Sequence, residues 1–246
     1  MKDMEDELDS FLDRINDGKP FALSRWGDGE MRLSKGLEFH RNPSDIINNR
    51  LWDFDPSDSH QAKIANLICE SLRYEGEDLF WGIPCPKCSV CYVSGQEQYD
   101  LYENKDNLTF ASIFVNGNHE ETQRRLPQVL RGKEVIFVGH HSADVSRLPF
   151  PITKHFGVGT NAWLNDSEIL GDLKEYMRDL GESTAVALFA CGPLSCYLIT
   201  ELWKENKQHF LLDIGSAFDV ELYSRPTRGF HSGKSCYGKF CEWIIE

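Results

Sequence analysis

Residues 24–31 read Ser-Arg-Trp-Gly-Asp-Gly-Glu-Met, which puts one cation, two carboxylates and two glycines in a single short stretch. Asp28 and Glu30 are two apart, and in an extended or turn backbone such side chains point the same way. Two convergent carboxylates suit a hard divalent cation such as Mn²⁺ or Mg²⁺, which takes oxygen ligands. Gly27 and Gly29 permit a tight turn and let a ligand come close to the backbone. Arg25 adds a rigid fork of donors matched to phosphate oxygens. These residue types describe a metal-assisted phosphate site, and a solvated Asp-Gly turn is the plainer alternative.

Other clusters offer different chemistry. Cys85, Cys88 and Cys91 make two overlapping C-x-x-C spacings. A structural Zn²⁺ would need a fourth ligand from Cys236, Cys241 or a His; reduced thiols in a loop are the alternative. Residues 229–235, Gly-Phe-His-Ser-Gly-Lys-Ser, are one residue short of a phosphate-binding P-loop and lack its strand–helix context, so that function is set aside. The same tail carries Arg225, Arg228, His231, Lys234 and Lys239 with no acid from Ser224 to Cys241. Such a basic segment either closes over a diphosphate or lies solvated. His140, His141 and Asp144 read as a polar loop after a strand.

These residues must be positioned by regular elements. Met4, Leu8, Phe11, Leu12 and Ile15 recur at helical spacing and predict a helix over 4–16. A short buried strand over 21–24 follows. Apolar runs then predict strands over 79–83, 108–115, 134–139, 153–157, 184–190 and 210–214. Helices are expected between them, near 59–74, 96–103, 120–130, 167–180 and 193–206. Buried strands alternating with helices predict an α/β fold: a Rossmann-like, mainly parallel sheet with helices on both faces. Residues 1–246 are read as one domain with a Cys-containing insertion near 82–95. Ligands in such sheets bind beyond the carboxyl ends of the strands. That directs attention to 25–30, 139–146, 157–163, 191–195 and 213–219.

The bulk properties narrow the partners. The 246 residues carry a formal net charge of -13, from 39 acids and 26 bases. Polynucleotide binding draws on the opposite balance, so nucleic acid is not expected. The acidic opening segment is the reverse of a secretion signal, and the apolar run over 185–190 is too short to span a bilayer. A soluble, cytoplasmic protein with no membrane span and reduced cysteines is expected; the oligomeric state is left open.

Residues 24–31 resemble the signature of the GT-D-type glycosyltransferases, a family once catalogued as a domain of unknown function, with an Asp-x-Glu metal motif. Asn161-Ala162-Trp163, Gly192-Pro193 and Asp213-Ile214-Gly215 follow in the family's order, so the resemblance spans roughly 20–222. Ser216 stands where the family has a His, and Asp219-Val220-Glu221 arrives about one residue late. The resemblance implies sugar transfer from a UDP-sugar to a hydroxyl of a glycan acceptor. It implies that Asp28 and Glu30 hold Mn²⁺ or Mg²⁺, and that Arg25, Gly27, Gly29, Asn161, Gly192, Asp213 and Gly215 contact the donor. The base for the acceptor hydroxyl would be Asp219 or Glu221, with Asp213 a further candidate. Two other readings stand beside this one: a non-catalytic nucleotide-sugar-binding protein, and another Rossmann-type enzyme such as a methyltransferase. The latter has only the lone Gly157-Val158-Gly159 to support it.

Overall fold

A computed structural model describes residues 2–39, 52–86, 95–165, 167–233 and 242–243. A short strand, β1 (Lys2–Asp3), leads into α1 (Met4–Asn16). Asp3 caps this helix by accepting from the backbone N–H groups of Glu5 and Asp6, and Glu5, Asp6 and Glu7 face the positive end of its dipole. The predicted apolar stripe from Met4 to Ile15 is buried. Then come β2 (Ala22–Arg25), α2 (Asp28–Ser34), α3 (Ser59–Ser71), β3 (Leu79–Ile83), α4 (Gly95–Leu101) and β4 (Leu108–Phe110). The middle of the chain supplies α5 (His119–Val129), β5 (Glu134–His140), β6 (Lys154–Val158), α6 (Ala162–Asn165) and α7 (Ile169–Asp179). It closes with β7 (Ala185–Ala190), α8 (Pro193–Glu205), β8 (Phe210–Asp213), α9 (Asp219–Tyr223) and β9 (Glu242–Trp243).

Strands β2 to β8 form one parallel seven-stranded sheet in the order β4-β3-β2-β8-β7-β5-β6. Alternation along β3 shows why both faces are covered. Phe80 meets Phe11 of α1 edge-on at 5.0 Å, while the next residue, Trp81, donates its indole N–H to the Tyr74 carbonyl just past α3. Successive side chains leave a strand on opposite faces, so α1 and α3 lie on opposite sides of the sheet. α5 packs with α1, and α8 packs with α3, β2 and β8. Helix α8 enters with Pro193 in its first turn and is buried through Leu194, Cys196, Leu198, Ile199, Leu202 and Trp203. Among the described residues no helix is long and apolar enough to cross a membrane.

Two expectations are corrected. The strand predicted over 108–115 ends at Phe110, where the chain turns: Ala111 N–H reaches the Ile83 carbonyl and Ile113 N–H the Phe110 carbonyl. Ile113 and Phe114 are buried as a turn instead of as pleated strand. The stretch after β2, expected as an extended or turn backbone, is helix α2 from Asp28 onward, with Gly27 as its N-cap.

Candidate functional site

Strands β2 and β8 are neighbours at the middle of the sheet, and their carboxyl ends carry Arg25 and Asp213. Arg25 Nη2 lies 3.2 Å from Asp213 Oδ1, with both side chains largely withdrawn from solvent. Its Nη1 donates to the Ala111 carbonyl at 2.8 Å, the carbonyl that the turn after β4 brings inward. Two glycines make room for this side chain. A methyl group at Gly215 would sit 2.0 Å from Arg25 Nη2, and one at Gly82 would sit 3.1 Å from Arg25 Cγ. Gly215 also has φ +51° and donates its N–H to Asp213 Oδ1 at 3.0 Å. Burial pushes the Asp213 carboxyl pKa up, opposed by the charge and hydrogen bond of Arg25 and then by the Gly215 N–H. The guanidinium expected to contact phosphate therefore has both terminal nitrogens engaged inside the protein, orienting Asp213.

The expected metal motif begins one turn further on. Asp28 is the first residue of α2, and its side chain lies outside the described residues. Glu30 is buried, with its Oε2 2.6 Å from where a methyl group at Gly27 would be. Its carboxylate is thus folded back over the helix N-terminus, where the dipole favours negative charge. Residues two apart on a helix do not face each other, so the shared direction expected from an extended backbone does not arise from the local geometry. Glu30 and Asp213 nevertheless flank one group: after burial itself, they are the charges that push the Cys196 thiol pKa up. That thiol donates to the Arg25 carbonyl at 3.3 Å. Burial likewise raises Cys69 to about 11, so neither thiol is a nucleophile at neutral pH.

The other glycines of the site accommodate a side chain that sequence reasoning missed. A methyl group at Gly29 would lie 2.4 Å from Trp52, and one at Gly192, where φ is +61°, would lie 3.3 Å from it. Trp52 therefore covers the starts of both α2 and α8, and it packs on Phe39 at 4.7 Å and edge-on to Trp163. Asn161 fastens this covering segment. With φ +55°, it accepts the Asp53 backbone N–H at 2.7 Å through Oδ1. Nothing in the local sequence around Trp52 signals this, because its partners come from distant elements.

The turn after β8 gathers the expected catalytic carboxylates. Asp219 starts α9 and is buried, and its Oδ2 accepts from the Thr227 hydroxyl. Burial raises its pKa, against Arg228 and Thr227. Glu221 differs: its Oε2 is enclosed, and among the described residues no protein group donates to it. His119 from α5 lies close enough for the Glu221 charge to act on it, and its Nε2 sits 3.0 Å from the Ala217 carbonyl. His231 from the tail contacts the Ser216 carbonyl at 2.9 Å and His119 at 5.1 Å between ring centres. The basic tail is therefore used in part within the protein. Lys234, Lys239 and the zinc candidates Cys88 and Cys91 lie outside the described residues, while Cys85 is buried. His140 bonds Ser142, and His141 bonds the Val158 carbonyl, as a polar loop would.

Comparison with known proteins finds the architecture elsewhere. No family model and no curated protein matches the chain. Three solved structures do. One, described as the highly conserved domain of unknown function 1792 with a distinct glycosyltransferase fold, is 15% identical with TM-score 0.56, covering 94% of this chain and 82% of the other. A second, a new glycosyltransferase of the same domain type from Streptococcus sanguinis, is 18% identical with TM-score 0.53, covering 97% and 93%. A selenomethionine-substituted structure of the domain is 18% identical with TM-score 0.57, covering 94% and 82%. The likeness first suggested by residues 24–31 thus holds for the whole architecture: this chain has the fold described for domain of unknown function 1792, a glycosyltransferase fold.

Proposed function

We propose that the protein is a metal-dependent glycosyltransferase that moves a sugar from a UDP-sugar to a hydroxyl of a glycan acceptor. The observation that carries this reading is the pair of buried carboxylates, Glu30 and Asp213, beside the central strands' carboxyl ends in a fold shared with glycosyltransferases. The donor set fits Mn²⁺ or Mg²⁺, because it is all oxygen. Among the described residues no three His, Cys, Asp or Glu side chains form a complete cage, and these ions are commonly held by one or two carboxylates plus substrate phosphates. Asp28 and Glu30 would hold the ion, which would supply Lewis-acid stabilisation to the departing diphosphate.

The remaining residues divide the work. Arg25 fixes the Asp213 carboxylate, which presents itself to the donor's ribose or sugar. Gly27, Gly29, Gly192 and Gly215 let the flanking side chains close around that edge, and Asn161 holds the covering segment. Glu221 accepts the acceptor hydroxyl's proton: among the described residues no protein group donates to its Oε2, whereas Asp219 is already bonded to Thr227.

The test is release of UDP from a panel of nucleotide sugars with Mn²⁺ present. Asp28→Ala and Glu30→Ala are each expected to abolish release and to weaken Mn²⁺-dependent UDP binding. Full activity in both variants sinks the proposal. Metal-dependent UDP binding without release from any donor makes the protein a nucleotide-sugar-binding protein instead.

A further inference from the structure

The tail from Ser224 to Gly233 folds back onto the turn that links β8 to α9, and one imidazole is common to its contacts. His231 Nδ1 lies 3.1 Å from the backbone N–H groups of both Thr227 and Arg228. A nitrogen that accepts twice carries no proton, so the proton of this ring is on Nε2, which donates to the Ser216 carbonyl at 2.9 Å. The Thr227 hydroxyl donates to Asp219 Oδ2, and the Asp219 backbone N–H returns to the same Ser216 carbonyl at 3.3 Å. Ser216, His231, Thr227 and Asp219 thus form a closed ring of hydrogen bonds. On the far side of the turn, His119 and Gln123 of α5 both contact the Ala217 carbonyl.

We infer that His231 is a positioning residue of the site: it closes this ring, fixes the Asp219 carboxylate and fastens the segment 224–233 over the turn that carries Asp213, Asp219 and Glu221. The inference rests on the reading of that turn as part of a glycosyltransferase site. Only the neutral ring can do this, because an imidazolium has no acceptor nitrogen for Thr227 and Arg228. Protonation therefore opens the ring. The charged and titratable groups around it are His119 on α5, Arg228 on the tail, and Asp219 and Glu221 on α9. Burial, with His119 and Arg228 beside it, lowers His231 to about 4, against the Ser216 bond. In the folded protein the ring holds at neutral pH and opens as the pH falls through about 4, while its contribution to stability is lost from 6.5 down to that value.

Nitrogen-15 NMR of the histidine rings and hydrogen exchange, both on the full chain, test this without any donor. His231 is expected as the Nε2–H tautomer titrating near 4, with the Thr227 and Arg228 amides protected above pH 6.5 and released as it titrates. His231→Ala is expected to lower that protection at least about tenfold, and His231→Asn, whose amide oxygen replaces Nδ1, to restore part of it. In UDP release, His231→Ala and Thr227→Val are expected to lower kcat about tenfold with the donor KM within about twofold, as loss of positioning would. An Nδ1–H tautomer, titration near 6.5, or unchanged protection in His231→Ala overturns the inference. An intact ring in a protein that releases no UDP sinks the enzymatic reading alone.

Discussion

Arg25 shows how one side chain can tie together the carboxyl ends of two strands from inside the protein. Its guanidinium is enclosed by Gly82 and Gly215 and bonded to Ala111 and Asp213, while its buried Nε has no partner among the described residues. A buried ion pair gains little over apolar packing, but removing one member strands the other. Asp213→Ala is therefore expected to cost about 3–5 kcal/mol in urea unfolding. Gly215→Ala should cost about 1–3 kcal/mol, from its left-handed backbone and the collision with Nη2. Both substitutions act through the position of the same guanidinium. The double variant is expected to lose less than the sum of the two, and strict additivity would refute the shared mechanism. Under the proposed function activity is expected to fall in each, because one removes and the other displaces the carboxylate assigned to the donor.

Among the elements, the short stretch 52–54 lies outside any helix or long strand, yet it bears directly on the starts of two helices. It reaches the starts of α2 and α8 through the Trp52 ring, and Asn161 fixes it through a single amide. Asn161→Gly keeps the positive φ but loses the bond to the Asp53 N–H, so it is expected to cost about 1 kcal/mol. Asn161→Ala loses the bond and strains the backbone, adding about 1–2 kcal/mol. Amide exchange at Asp53 should quicken in both, and equal stability of the two variants would show that the conformation contributes nothing. The sequence made the regular elements legible where pattern and burial agree: β3 has the predicted bounds 79–83 and α1 the predicted 4–16. It failed where tertiary contacts overrule local pattern. The run 111–115 is apolar and β-branched like a strand, yet the chain turns there and delivers the Ala111 carbonyl to Arg25. Two glycines around Asp28 read as a turn, although Gly27 with Glu30 three residues later also fits a helix start. Arg25, Asp213 and Gly215 were legible as residues of one site, but their pairing was not, because 188 positions separate the two charges.

At the scale of the whole molecule, buried carboxylates at one end of the sheet and a buried histidine at the other respond to acid with opposite signs. At the carboxyl edge, burial raises Asp213 and Asp219, so the folded state favours their protonated forms and their contribution is lost as pH rises. At the amino edge, His209 is buried just before β8, with Nδ1 accepting the Ala185 N–H at 3.2 Å and Nε2 enclosed without a partner among the described residues. Burial lowers its pKa from 6.5, so the folded state favours the neutral ring. That contribution is full above 6.5 and is lost as pH falls below it. His209→Asn keeps an acceptor for Ala185 but removes the titration, which isolates this group from the carboxylates. Between pH 7.5 and 5, the urea midpoint of the parent chain is expected to fall relative to that variant. Net charge offers a competing cause, because a chain at -13 changes its self-repulsion as it titrates. Salt separates the two: about 0.5 M shortens the Debye length to a few ångströms and suppresses the global term, while the desolvation of an enclosed ring is untouched. The gap should therefore survive in salt, and parallel midpoint curves there would assign the acid response to overall charge instead of to His209.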